Sequence, residues 1–286
     1  MELRAYGKIN LILDVVRRRE DGYHEVRMIM QTVGIYDTLQ LERSARPGIR
    51  LTVENSPLSG DEKNLAYRAA ALLMEEFKIK EGLDITLTKR IPMAAGMAGG
   101  SSDAAAVLRG VNECFGLGLT LKELQEYGVR LGADIPYCLA GGTQLSEGIG
   151  EILTREPAMP DCYIVLAKPA ADISTKYVYE NLHANELKFH PPVNEMLKDL
   201  ERGDLRGLSG RLGNVLENVT LTLCPEIGRI KEMLLSQGAL GSLMSGSGPT
   251  VFGIFEDRKK AEEAYERLKR ELPETESFLT EPVREI

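Results

Sequence analysis

The hydrophobic pattern of the first ~60 residues is that of β-structure, apolar and β-branched runs broken by charged or Gly/Pro positions. Leu11 to Val16, Val26 to Val33, Thr38 to Leu41 and Ile49 to Val53 are rich in branched and apolar residues and are separated by charged or Gly/Pro breaks, so four β-segments are expected. Asp21-Gly22 between the first two is a hairpin-turn dipeptide. The pattern then changes. Leu65, Ala69, Leu72, Leu73 and Phe77 recur at helical spacing and predict a helix over about 64–77. Leu83 to Lys89 alternates again as a strand and runs into a glycine-rich stretch, beyond which a helix is expected to about Phe115 and another over about 121–131, with Thr120 as its N-cap.

Two prolines, Pro157 and Pro160, interrupt the pattern before a strand expected at Cys162 to Ala167. After that point helices and strands alternate. Helices are expected over 175–182, 193–200, 211–221, 226–237 and 259–272, with strands at Leu240 to Met244, Val251 to Phe255 and near Ser277. The reading is an α+β protein of two domains, residues 1–156 and 157–286, with a cleft between them as the expected ligand site.

Composition narrows the class. The chain has 286 residues, 43% hydrophobic and 27% charged, as soluble globular proteins do. A formal charge of −8 argues against a general nucleic-acid binder, which carries a basic face, and no apolar run approaches the ~20 residues that span a bilayer. With no signal-peptide pattern at the N-terminus, the expected location is the cytoplasm, and nothing indicates a membrane or a protein partner. The four cysteines (114, 138, 162 and 224) and three histidines (24, 183 and 190) are scattered, so no zinc or redox spacing is present and no metal site is expected from them.

The chemistry concentrates in Pro92-Met93-Ala94-Ala95-Gly96-Met97-Ala98-Gly99-Gly100-Ser101-Ser102, a glycine-rich loop feeding a helix. Glycines allow left-handed backbone, and a helix N-terminus offers unpaired N–H groups with a partial positive charge, which together suit phosphate. The serines are placed to cap the helix or to turn toward a ligand or its metal ion. The same residues would also serve a plain loop and cap. The stretch lacks the Lys-Ser/Thr ending of a Walker loop and the G-x-G-x-x-G spacing of a dinucleotide fold.

Three segments taken together resemble the GHMP kinases: Ala5-Tyr6-Gly7-Lys8-Ile9-Asn10-Leu11, the loop 92–102, and Met244-Ser245-Gly246-Ser247-Gly248-Pro249-Thr250. The likeness covers nearly the whole chain. Asp21-Gly22-Tyr23-His24 and Leu131-Gly132-Ala133-Asp134-Ile135-Pro136 are similar to the branch of that family acting on a cytidine-diphosphate-linked sugar alcohol. Ala94, Ala95 and Met97 depart from it, standing where the family more often has glycines and leucine. The resemblance implies a ribosomal-S5-like N-terminal domain and a ferredoxin-like C-terminal domain, with ATP and Mg²⁺ as cofactors.

It also implies roles. Asp134 would be the general base toward the substrate hydroxyl, although Asp before Ile-Pro is equally a helix cap. Lys8 would hold that carboxylate ionised. Asn10, on the same strand face as Lys8, would orient substrate or bond the lysine. Tyr23 and His24 would stack on and hydrogen-bond the pyrimidine, with Tyr179 as second aromatic and Tyr177 as its near competitor. Asn64 to Arg68 would lie near the adenine, while remaining first of all a helix start. A homoserine- or mevalonate-type kinase, which would not need the aromatic pocket, is the alternative within the family.

Overall fold

The computed structural model describes residues 1–286. The chain forms two compact units that interleave in sequence: residues 1–7, 35–91 and 98–140 make one, and residues 8–34, 92–97 and 141–286 the other. Two strands run through both, β1 (Glu2–Arg18) and β2 (His24–Ser44). β1 is buried without interruption from Gly7 to Val15, so it is covered on both faces and carries buried Lys8, Asn10 and Asp14 among its apolar residues.

Val26 to Val33 and Thr38 to Leu41, expected as separate strands, are one 21-residue strand. Gly34 and Asp37 resemble a turn by type but act otherwise. A Cβ on Gly34 would sit 2.8 Å from Thr280 Oγ1, so the glycine permits close packing, and Asp37 is fully buried with Lys89 as its ionic partner. The Asp21-Gly22 turn forms as expected, with Gly22 at φ 88° and Arg19 N–H donating to Tyr23 O at 2.7 Å.

In the first unit the C-terminal half of β2 pairs antiparallel with β4 (Gly82–Thr88), which pairs in parallel with β3 (Gly48–Glu54). Helix α1 (Leu65–Glu76) begins where the Asn64 side chain caps Ala66 N–H, and it packs on α2 (Gly99–Cys114). Helix α2 lies so close to the sheet that a Cβ on Gly110 would meet Leu41 Cδ2 at 2.5 Å. Helix α3 (Leu121–Val129) opens on a capping box between Thr120 and Glu123, and α4 (Ile135–Ala140) follows.

In the second unit the N-terminal half of β2 pairs with β5 (Thr143–Glu147), which forms a hairpin with β6 (Ile152–Arg155). A separate antiparallel sheet, built from β7 (Tyr163–Lys168), β9 (Gly241–Met244), β10 (Val251–Phe255) and β11 (Glu276–Thr280), has the order β11-β7-β10-β9. Helices α9 (Glu226–Ser236) and α10 (Arg258–Glu271) cover it, and α5 (Thr175–Glu180) and α6 (Val193–Arg202) precede them. The single helix expected over 211–221 is instead α7 (Leu205–Gly210), a short β8 (Gly213–Asn214) and α8 (Glu217–Leu223). Gly213 and Asn214 break the helical run, and β8 pairs in parallel with Ile12 and Leu13 of β1. No helix is long and apolar enough to cross a membrane.

Candidate functional site

The glycine-rich segment takes a conformation that its residue types resist. Ala94, Gly96 and Ala98 have φ of 49°, 69° and 57°, so two alanines occupy the left-handed region at a cost of roughly 1–2 kcal/mol each. Such strain persists only where the surroundings impose it. Helix α2 starts at Gly99 with Ala98 as N-cap, and no side chain caps its first turn. Its leading N–H groups are thus available to an anion. The serines differ from the expectation that they would sit at the cap: both lie within the helix, and buried Ser102 donates its hydroxyl to Tyr6 O at 2.6 Å.

In the second unit, Lys8 is brought to the segment's backbone. Its ammonium donates to Gly96 O at 3.0 Å and to Asn10 Oδ1 at 2.6 Å, and its N–H donates to Met97 O at 3.1 Å. Lys8 is 4% exposed and Asn10 1%, so the charge is held in a dry, polar-lined position rather than projecting into water. Gly96 O also accepts from Ser245 Oγ at 2.9 Å, and Ser245 Oγ accepts from Asn10 N–H at 3.3 Å. A Cβ on Gly96 would come within 2.2 Å of Ser245 O, and one on Gly246 within 3.3 Å of Lys8 Nζ. Here the glycines serve close backbone approach.

Asn214, which the sequence pattern placed inside a helix, fixes the 244–249 turn. Its Nδ2 donates to Met244 O and Gly246 O, both at 2.8 Å, while its Oδ1 accepts from Leu216 N–H. The signal that could have found it is the Gly-Asn pair within a supposed helix.

Also in the second unit, the rings of His24 and Tyr179 are 5.2 Å apart at 40°, whereas Tyr177 is exposed and capped into α5 through Ser174. Tyr23 is 60% exposed at the hairpin. His24 Nε2 is buried without a hydrogen-bond partner. Burial, reinforced by the Arg18 charge, pulls the His24 pKa below the usual imidazole value, so the ring is neutral at physiological pH and one nitrogen remains open to a polar partner.

In the first unit, Asp134 is half-buried immediately before α4, and its carbonyl accepts from Cys138 N–H at 3.0 Å. The same unit holds an ionic cluster that sequence reasoning passed over. Lys89 Nζ contacts Asp37 Oδ2 at 2.5 Å and Asp103 Oδ2 at 2.6 Å, with all three side chains at most 5% exposed. Burial pushes the Asp103 carboxyl up to about 7, against the opposing pull of Lys89. Lys89 is itself desolvated, but its two carboxylates outweigh that and raise its pKa. No group of three or more His, Cys, Asp and Glu side chains is placed to hold a metal ion.

Comparison with known proteins accounts for this arrangement. Residues 64–142 match the GHMP kinases N terminal domain and residues 196–274 the GHMP kinases C terminal domain. The chain is 50% identical over 280 residues to the 4-diphosphocytidyl-2-C-methyl-D-erythritol kinase of Lachnoclostridium phytofermentans, covering 98% of this chain and 96% of that one. It is 48% identical over 283 residues to the enzyme of the same name from Acetivibrio thermocellus, covering 99% of both. A crystal structure of 4-(cytidine 5'-diphospho)-2C-methyl-D-erythritol kinase superposes with a TM-score of 0.84 at 33% identity over 99% of each chain. Homoserine kinase from Cytophaga hutchinsonii, at 21% identity, 98% and 95% coverage and TM-score 0.76, shares the fold. With both family domains present and half its residues shared with kinases of one name along its full length, the chain belongs to the GHMP kinase family and is an ATP-dependent small-molecule kinase.

Proposed function

We propose that the chain transfers the γ-phosphoryl group of ATP to the 2-hydroxyl of 4-diphosphocytidyl-2-C-methyl-D-erythritol, a step in the non-mevalonate route to isoprenoid precursors. The observation that carries the acceptor assignment is the 50% identity, over nearly the full length, to a kinase named for that compound. The hairpin and α5 support it: a neutral His24 with an open, buried Nε2 beside the Tyr179 ring offers one polar contact and one aromatic face, which is what a pyrimidine needs. Exposed Tyr23 supplies a second ring. A homoserine or mevalonate acceptor would leave these groups without a use.

In the reaction, the acceptor oxygen forms a bond to Pγ as the bond between Pγ and the β,γ-bridging oxygen breaks, ADP departs, and the hydroxyl proton passes to the Asp134 carboxylate. Phosphoryl transfer asks mainly for alignment and neutralised charge, so one positioned carboxylate, the uncapped N–H groups of α2 and the Lys8 ammonium suffice as protein groups. Asn10, which holds Lys8 through its Oδ1, positions that charge. Mg²⁺ would supply further neutralisation of phosphate charge, with Ser101 in the first turn of α2 as the hydroxyl that would help hold it.

The test is ADP release from ATP and Mg²⁺ with candidate alcohols. Turnover confined to the cytidyl compound is the expected result; turnover confined to homoserine or mevalonate would overturn the acceptor assignment and retain the kinase.

A further inference from the structure

The buried cluster of Lys89, Asp37 and Asp103 lies entirely in the first unit, at the two points where the glycine-rich segment leaves that unit and re-enters it. On the outgoing side, Asp37 Oδ1 accepts from Arg90 N–H at 2.5 Å and from Ile91 N–H at 2.8 Å, immediately before Pro92. On the returning side, Asp103 lies in the second turn of α2, and Lys89 Nζ joins it to the other Asp37 oxygen. Gly99, the first residue of α2, lies over the same ammonium: a Cβ there would be 3.5 Å from Lys89 Nζ and 3.1 Å from Ile91 Cγ2.

Three buried charges are a poor device for stability alone, because apolar residues of the same volume usually do as well or better. Asp103 Oδ1, moreover, is buried with no partner. What the cluster does accomplish is geometric. It ties strand β2, the end of β4 and the start of α2 at one point, while the intervening residues hold Ala94 and Ala98 in left-handed conformations that a slack chain would relax.

We propose that Asp103, Lys89 and Asp37 are positioning residues for nucleotide, fixing the entry and exit of segment 92–98 so that the leading N–H groups of α2 are presented to phosphate in one geometry. The proposal rests on the reading of that segment as the ATP phosphate site. None of the three residues is placed on the reacting atoms, so their loss should weaken nucleotide binding more than it slows the bound complex.

The experiment measures the Kd for ATP with Mg²⁺ by titration calorimetry, without acceptor, on the full chain and on Asp103→Ala and Asp103→Asn, with thermal unfolding of each. Losing a charge-assisted bond at the anchor should raise the Kd for Asp103→Ala about tenfold, whereas Asn, whose carbonyl still accepts from Lys89, should remain within about threefold of the parent. In the kinase assay the KM for ATP should rise in Asp103→Ala, with kcat and the acceptor KM little changed. If Asp103→Ala does not fold, Asp103→Leu fills the volume and leaves a neutral Lys89–Asp37 pair, and it should show the same weakened Kd. A folded Asp103→Ala or Asp103→Leu with the parent's Kd would overturn the proposal, as would an Asp103→Asn as weak as alanine. A parent chain that binds ATP but phosphorylates no cytidyl alcohol would overturn the acceptor assignment alone; one that binds no ATP would overturn both.

Discussion

The base role proposed for Asp134 can be separated from a helix-start role by one substitution. Asn caps a helix about as well as Asp but is not a useful proton acceptor, so Asp134→Asn should unfold at nearly the parent temperature while losing roughly 10²-fold or more in kcat. Calorimetry and steady-state kinetics on the same preparation check this, and full turnover would remove Asp134 as base. Tyr23→Ala would remove the stacking face proposed for the pyrimidine, worth about 1–3 kcal/mol, so the acceptor KM should rise roughly tenfold with little change in the KM for ATP. Asp103 should reveal its burial through pH. Its carboxyl rises from the ordinary 3.8 to about 7 on folding. The folded state therefore binds the proton more tightly, and this contribution to stability is full below about 4 and lost as pH climbs through about 7. The stability of the parent relative to Asp103→Asn should fall from pH 5 to pH 8 in urea titrations; a constant or rising difference would contradict the burial assigned to Asp103.

At the scale of elements, segment 92–97 and the 244–249 turn approach through backbone within the second unit. Gly96→Ala would place a Cβ 2.2 Å from Ser245 O at a φ of 69°, so it should destabilise the chain by at least roughly 1–2 kcal/mol and depress turnover. Gly100→Ala is the control, since its Cβ meets nothing nearer than Leu65 Cδ1 at 3.6 Å and alanine favours helix; its melting temperature should hold or rise. Elements with local signals were legible beforehand. Thr120 caps α3, α1 starts just after Asn64, and the Asp21-Gly22 turn forms where the dipeptide stands. Those depending on distant partners were not legible. The unbroken β2 depends on Asp37 finding Lys89 some 50 residues on, and β8 on Gly213 and Asn214 reaching β1. The candidate site divides in the same way. Lys8, Asn10, the glycine segment and the Ser245–Thr250 turn stood out through resemblance to the GHMP kinases, whereas Asn214 and the Asp103 cluster emerge only from contacts across long stretches of chain.

At the scale of the whole molecule, an acidic chain carrying a net charge of −8 handles anionic ligands, so attraction must be local. We assign it to the uncapped end of α2 and the buried Lys8 ammonium, each held by neighbours within its own unit. The fold is shared with homoserine and mevalonate kinases at identities of 21% and 19%, and therefore does not select the acceptor. Selection is assigned to the hairpin and α5 residues Tyr23, His24 and Tyr179. The most direct test is ADP release by the purified chain with ATP and Mg²⁺, comparing 4-diphosphocytidyl-2-C-methyl-D-erythritol with free methylerythritol, homoserine and mevalonate. Turnover with the cytidyl compound alone is expected. Equal turnover with free methylerythritol, or turnover only with homoserine or mevalonate, would contradict the assignment of those aromatic residues to a cytidine pocket.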